Sequence, residues 1–427
     1  MFNEKSFPLQ SIDNRDDLFY PNLDLNISKI KPTALSLLDK KFSEKRMLTR
    51  HLKNKEGWKK LQEKSIENIL VLILDALGLQ EFMRYSQKIK AIANSNCLPL
   101  CSVFPTITSS CLATIHLGEM PINHGILGQK IHFREIGNIV DTLSLLALNS
   151  NGHSLTSAGV NVKNWLWCDF PLGEESEIMH VQLIEDYLVN KGLSKFIHEK
   201  DCAIGYASHV DCFAAAKRIL EKEDKKQKKK LLDIYVGSTD AISHRYTPNS
   251  KELSWEVENI EKIFLQMLAR LDPTVAEKTA VFIVADHGQE PLLDEKKITV
   301  SRDEQSEDLD SLLAARGRSG RVIHLFSKEG KREELVSWFE EKLGNAGIVL
   351  TPEAYPKLLG RKANNKQVIE RLGDVQIILG RNASLFFGHS GNFDPIFNLG
   401  LNATHGSLSR NELIVPFVFS TVDDLII

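Results

Sequence analysis

The sequence predicts an α/β protein: a three-layer α/β/α sandwich with a mostly parallel central sheet, insertions, and a helical N-terminal extension. Two observations carry this. Residues 68–75 read Asn-Ile-Leu-Val-Leu-Ile-Leu-Asp, an apolar run of strand length that ends in a carboxylate. A strand apolar on both faces belongs inside a parallel sheet covered by helices on either side. The pattern then recurs: residues 231–236 lead to Gly237-Ser238-Thr239-Asp240, and residues 280–285 lead to Asp286-His287-Gly288. Open α/β sheets hold their ligands beyond the carboxyl ends of such strands.

A chain of 427 residues can form one large domain with insertions, or two domains. Its net charge of −3 gives no electrostatic basis for holding nucleic acid. No stretch approaches the roughly 20 apolar residues of a membrane span. The opening Met1-Phe2-Asn3-Glu4-Lys5 lacks the basic and then apolar pattern of a signal peptide. Cys97, Cys101, Cys111, Cys168, Cys202 and Cys212 have neither metal-type nor disulfide-framework spacing. The expectation is a reducing, cytoplasmic setting.

In chain order, residues 1–30 are polar, contain Pro8 and Pro21, and are expected to drape over the surface. Between residues 32 and 63, Leu35, Leu37, Leu38, Phe42, Met47, Leu48 and Leu52 recur at helical spacing among Lys and Glu. One or two amphipathic helices follow, so 1–64 reads as an extension and 65–427 as the main domain. After the opening strand come a helix near 79–92 and a strand near 98–104. The Ser/Thr-rich segment from Thr106 to Ser110 precedes an apolar period and reads as a helix start. Pro121 and His124-Gly125 mark a turn.

Residues 126–200 contain Trp165, Trp167 and a helix expected over 184–197; such a stretch between core strands forms a pocket wall. Residues 202–206 read as a strand and 213–220 as a helix running into the charged stretch 221–230. A helical period covers 253–271. Residues 293–320 read as a surface loop, and a surface role is expected for Arg318 and Arg321. Residues 321–326, 333–343 and 348–350 suggest a β-α-β unit, placing insertions at about 126–200 and 289–364. Strands follow at 375–379, 385–387 and 413–419, with His405-Gly406 before the last.

The polar residues beyond these strands are Asp75, Asp240, Asp286 and His287, joined by His244 and His405. Three carboxylates and three imidazoles suffice for two divalent metals, with zinc the best match and manganese or iron the alternatives. Singly these signals are weak, since a strand-terminal Asp commonly caps the next helix. Their repeated placement after strands gives them weight. Two ions about 3.5–4 Å apart would clamp the attacking and leaving oxygens of a phosphoryl transfer. The hydroxyls of the Ser/Thr-rich helix start supply candidate nucleophiles beside free backbone N–H groups.

The motif order resembles the alkaline phosphatase superfamily, in particular its type I phosphodiesterase/nucleotide pyrophosphatase branch and bacterial relatives. The resemblance runs from about Ile69 to Phe419. It rests on Asp75, Phe104-Pro105-Thr106-Ile107-Thr108, the Gly118 to Gly125 turn with Pro121 and His124, Asp240 to His244, Asp286-His287-Gly288 and His405-Gly406. It implies that Asp75, Thr108, Asp286 and His287 bind one metal and Asp240, His244 and His405 the other. Thr108 would attack phosphorus to form a phosphothreonine, with Thr106 the alternative nucleophile and the Ser109 N–H holding a nonbridging oxygen. Where the eukaryotic-type branch has a phosphate-binding Asn, this chain has Cys111, a poor donor. No sulfatase signature surrounds Cys101 or Cys111.

The function so implied is hydrolysis of phosphodiester or pyrophosphate bonds in small phosphate esters, nucleotides included. A phosphomonoesterase or phosphonate hydrolase on the same site is the alternative. A non-catalytic metal- or nucleotide-binding protein with this fold is the reading from another class. His116 and His124 are expected to be structural.

Overall fold

The computed structural model describes residues 7–39, 48–89, 96–148, 152–168, 178–197, 202–223, 229–300, 308–388 and 400–426. Its central sheet contains β1 (Asn68–Leu74), β2 (Ile178–Glu185), β3 (Cys202–Tyr206), β4 (Lys229–Val236), β5 (Thr279–Val284) and β6 (Phe417–Thr421). Their spatial order is β6-β5-β1-β4-β2-β3. Every neighbouring pair is parallel except β6, which closes one edge antiparallel to β5. This is the expected α/β/α architecture.

The register of the three middle strands explains why distant motifs meet. β1 lies between β5 and β4, with Ile73 opposite Val284 and Leu74 opposite Val236. Asp75, Asp286 and the turn starting at Gly237 therefore leave the sheet along one edge. Every residue of β1 and β5 is buried, and each fully buried Leu, Ile or Val contributes about 1.5–3 kcal/mol. Helices Lys251–Leu268 and His209–Glu221 pack together through Phe264 and Phe213, whose rings lie 5.3 Å apart. Trp58, on helix Glu56–Glu63, sits against Phe282 of β5 and Phe419 of β6. No described helix is long and apolar enough to cross a membrane.

A second, antiparallel sheet has strands in the spatial order Gly347–Leu350, Val375–Leu379, Val322–Ser327, Leu313–Ser319, Lys130–Phe133, Asn138–Asp141, Leu146–Ala147. It joins parts of both stretches expected as insertions and has its own core, including Ile323, Leu325, Leu335, Phe339, Val375 and Ile377. The expected β-α-β unit is split. Val322–Ser327 and Gly347–Leu350, joined through helix Arg332–Leu343, do not pair but flank Val375–Leu379, each antiparallel to it.

Four local expectations are corrected. The stretch 293–320 is not a loop in its described part, because Lys297–Val300 and Leu313–Ser319 are strands. The second reads Leu-Ala-Ala-Arg-Gly-Arg-Ser, with no apolar alternation to reveal it. It is held by pairing with Val322–Ser327 and by burial of Arg318, whose guanidinium donates to the carbonyls of Gly320 and Leu385. Arg318 and Arg321 are accordingly core residues rather than surface ones. The helix expected over 184–197 is the end of β2, a 3-10 turn at Asp186–Leu188 and a short helix at Gly192–Ile197. The strands expected at 98–104 and 413–419 shrink or divide. Leu100–Cys101 pairs with Ile414–Val415, and the chain then enters β6.

The N-terminal segment is anchored more firmly than a surface drape. Ile12, Leu18, Ile27 and Ile30 are buried, and Gln10–Ser11 pairs with Phe19–Tyr20. The amphipathic stretch forms helices Ile30–Leu38, Thr49–Leu52 and Glu56–Glu63; Phe42 and Met47 lie outside the described residues. Lys31 places its ammonium 3.7 Å from Asp233 of β4, next to His116 at 3.3 Å. Burial alone would raise the Asp233 pKa, but these partners hold it below the usual carboxylate range.

Candidate metal centre

Asp75, Asp286 and His287 offer ligand atoms that all lie within 4.8 Å of one another, and so do Asp240, His244 and His405. Asp75 follows β1, and Asp286 and His287 follow β5. Asp240 and His244 occupy successive turns of helix Ser238–Tyr246, which starts directly after β4. His405 follows the short strand Ala403–Thr404, paired with Glu290–Pro291 immediately beyond the Asp-His-Gly turn. All seven motif residues, Thr108 included, thus collect at the carboxyl ends of the middle strands.

Close backbone packing sets the turns. A Cβ on Gly288 would lie 2.1 Å from the Asn411 carbonyl and 3.0 Å from the Cα of Gly78, so the chain after His287 tolerates only glycine. Gly406 has φ +114°, and a side chain there would strike the Ser319 carbonyl at 2.1 Å. Ala76 adopts a left-handed φ of 57°, a strained choice for a non-glycine residue, and its N–H donates to Asp286 Oδ1 at 3.1 Å.

Each histidine is oriented by a carbonyl. His287 Nδ1 donates to Gly288 O at 3.1 Å, His244 Nδ1 to Ala403 O at 2.7 Å, and His405 Nδ1 to Thr106 O at 2.8 Å. A carbonyl only accepts, so Nδ1 carries the proton and the Nε2 lone pair of each ring is turned inward. His287 Nε2 lies 3.5 Å from Asp75 Oδ1 and 3.3 Å from Asp286 Oδ2, and both of these buried oxygens lack a hydrogen-bond donor. His244 and His405 Nε2 lie 3.2 and 3.5 Å from Asp240 Oδ1. Acceptors facing acceptors in a buried site fit a cation, and the N/O donor set fits a divalent ion.

The electrostatics agree. Burial, reinforced by Asp286 and Asp240, holds the Asp75 pKa well above the usual carboxylate range, and burial pushes Asp286 up to about 6. Burial depresses His287 to about 4 and, with His287 beside it, His405 to about 3, so both rings are neutral and could serve as ligands. Burial also opposes ionisation of Asp240 and His244, but their mutual attraction wins, lowering the Asp240 pKa and raising that of His244. The Asp240 and His244 side chains are 19% and 20% exposed, whereas the Asp75, Asp286 and His287 side chains are 2% or less, so solvent reaches the pair from the Asp240 side.

Thr108 is the first residue of helix Thr108–Leu117, and its Oγ1 donates to His287 Nε2 at 3.2 Å. The hydroxyl of Thr106 is committed elsewhere, donating to Ser407 O at 2.8 Å and accepting from Gly406 N at 3.0 Å. Ser109 Oγ donates to Gly128 O at 3.3 Å, leaving its backbone N–H at the helix start. The Cys111 thiol is fully buried, 3.2 Å from Ser102 Oγ, which itself donates to the Asp286 carbonyl. Cys111 therefore sits behind the Asp286 turn. His124 and His116 are buried, the first beside Thr114 Oγ1 at 3.0 Å and the second beside Asp233.

Two neighbouring side chains were not among the sequence candidates. The Tyr235 hydroxyl donates to Asp75 Oδ2, and the Gln289 amide donates to Asp240 Oδ1. Tyr235 lies within the apolar run of β4 and Gln289 just past the glycine of the turn; neither position carries a metal-binding signal. The alternation along β4 does place Tyr235 on the same face as Asp233.

A profile of the family described as "Type I phosphodiesterase / nucleotide pyrophosphatase" matches residues 69–407. The chain belongs to that family. Family membership makes it a hydrolase of the alkaline phosphatase superfamily. Among solved structures, murine ectonucleotide pyrophosphatase/phosphodiesterase 5 is similar over 82% of this chain and 87% of its own, with TM-score 0.57 and 14% identity. The human protein of that name gives TM-score 0.56 at 15% identity over the same shares. Phosphonoacetate hydrolase from Sinorhizobium meliloti gives TM-score 0.56 and 17% identity over 85% of this chain and 95% of its own. At these identities the likeness supports the fold. No curated protein matches the chain in sequence.

Proposed function

We propose that the chain hydrolyses phosphodiester or pyrophosphate bonds of small phosphate esters, nucleotides among them, with two divalent ions and Thr108 as nucleophile. The observation that carries this is the meeting of the Thr108 hydroxyl with two inward-turned N/O ligand groups at one edge of the sheet. Asp75, Asp286, His287 and Thr108 would hold one ion, and Asp240, His244 and His405 the other, zinc suiting the mixed donors and manganese or iron being the alternatives. Bound ions would neutralise the phosphoryl oxygens and make the oxygen nucleophiles more acidic.

Thr108 Oγ1 would attack phosphorus in line. The new P–O bond would form as the bond to the leaving oxygen breaks, giving a phosphothreonine that water then hydrolyses. The Ser109 N–H and the helix N-terminus would face the nonbridging oxygens. Cys111 supplies no side-chain donor in that role. An inactive variant of the murine relative is described in complex with AMP, which supports a nucleotide as the first substrate to try. The test is hydrolysis of a chromogenic phosphodiester with and without chelator. Chelation should abolish turnover and added zinc restore it; indifference to chelator would refute the reading.

The likeness to a phosphonoacetate hydrolase favours a second reading, phosphonate or phosphomonoester hydrolysis on the same groups. Comparing kcat/KM for a matched diester, monoester and phosphonate decides between them. The buried Cys97, Cys101, Cys111 and Cys212 are free thiols, which supports a reducing, cytoplasmic setting.

A further inference from the structure

We propose that Gln289 is a positioning residue of the Asp240, His244 and His405 site, fixing the Asp240 ligand and tying it to the turn that carries Asp286 and His287. The inference rests on the metal-binding reading above. Gln289 is fully buried. Its Nε2 donates to Asp240 Oδ1, the same oxygen that His244 and His405 approach. It also lies 3.4 Å from the Asp240 carbonyl, so one amide holds both the side chain and the first helical turn of its partner.

The amide carries a cost that packing does not explain. Gln289 Oε1 is buried and has no hydrogen-bond partner, a desolvation cost that an apolar side chain of equal length would avoid. Retaining the amide makes sense if its N–H has work at Asp240. Its place in the chain supports this. Gln289 is two residues beyond His287 and adjoins the Glu290–Pro291 pairing with Ala403–Thr404. That pairing also sets His405 and, through the Ala403 carbonyl, His244. Gln289 thus ties the Asp240 ligand to the strand that follows the Asp-His-Gly turn.

Contacts that orient metal ligands are worth about 10–100-fold in affinity. The experiment is a zinc titration against a chromophoric chelator, with the visible spectrum of the cobalt-loaded protein as a second readout. It uses the full-length wild type, Gln289→Met, which keeps length without the amide, and Gln289→Asn, which keeps the amide without the reach. We expect both variants to lose about 10–100-fold in affinity for one ion, the one His244→Ala removes, and to alter its cobalt bands while the other ion binds as before. Wild-type affinity and spectrum in both variants would overturn the inference, as would equal weakening of both ions. A wild-type chain that binds no zinc or cobalt would overturn the metal reading itself and this inference with it.

Discussion

The imidazoles of His287 and His405 stack, with ring centroids 3.9 Å apart and planes inclined by 20°. One ring belongs to each ligand group, so the stack joins the two sites. Burial and the stacked His287 ring oppose a second proton on His405, while burial and His244 oppose one on His287. Two neutral rings with their Nδ1 atoms engaged leave both Nε2 lone pairs turned inward. The pairing is set by topology, with β5 delivering His287 and the short ladder beside it delivering His405.

The two threonines of the helix start should separate cleanly. Thr108→Ala should lower kcat by at least about a thousandfold, because in the proposed reaction it removes the attacking hydroxyl. Thr106→Val should leave the Gly406 N–H and the Ser407 carbonyl unpartnered, destabilising the protein by about 1–3 kcal/mol while still allowing a phosphoenzyme. Mass spectrometry of protein quenched during turnover reads the result. Phosphate found on Thr106, or Thr108→Ala with wild-type turnover, would reverse the assignment.

Asp75→Asn should abolish most catalysis yet spare the fold. In the metal-free protein burial and the neighbouring Asp286 and Asp240 carboxyls oppose ionisation of Asp75, so an amide at position 75 removes a conflict. The metal-free variant should therefore melt at or above the metal-free wild type. What it should lose is the gain on adding zinc, about 2.7 kcal/mol per site at a hundredfold excess over Kd. Calorimetric scans of both proteins with and without zinc make the comparison. Equal stabilisation by zinc would place Asp75 outside the metal site.

The middle of the sheet and the order of the site motifs were legible because each buried strand writes an uninterrupted apolar run that ends in a polar residue. The second sheet was not. Leu313–Ser319 carries Arg316, Gly317 and Arg318, and its strand character comes from a hairpin with Val322–Ser327 and a distant pairing with Lys130. The motif register favoured Thr108 over Thr106, and the tertiary contacts with Gly406 and Ser407 show that the Thr106 hydroxyl is engaged elsewhere. Tyr235 and Gln289 escaped notice for a related reason: their partners, Asp75 and Asp240, lie 160 and 49 residues away.

Arg321 and Glu412 form a salt bridge of 2.8 Å in which both side chains are fully buried. Glu412 also accepts from the N–H groups of Ser407 and Ser409, while the Arg321 N–H donates to the His405 carbonyl. Arg321→Met should cost about 3–5 kcal/mol by stranding the Glu412 charge. Pairing it with Glu412→Leu should recover part of that loss, and denaturant unfolding of the two singles and the double measures the coupling. Additive effects would mean that the bridge contributes no coupling of its own.

Acid should destabilise the protein through two histidines outside the metal site. Burial depresses His324 to about 4 and, with Arg371 nearby, His124 to about 3, both from 6.5. Each ring already accepts or shares hydrogen bonds as a neutral group: His124 Nδ1 accepts from the Ile126 N–H at 3.1 Å, and His324 lies 2.7 Å from both Ser319 Oγ and Gln376 Oε1. Below pH 6.5 the unfolded chain takes up these protons and the native protein does not. Stability therefore rises with pH across the window from about 4 to 6.5 and is lost as pH falls through it. For His324 the effect is on the order of 3 kcal/mol. His324→Gln should flatten the stability profile of the metal-free protein over that window, measured by denaturant unfolding at a series of pH values. An unchanged slope would mean that His324 is protonated in the native state, and its contacts with Ser319 and Gln376 would then need a different arrangement of protons.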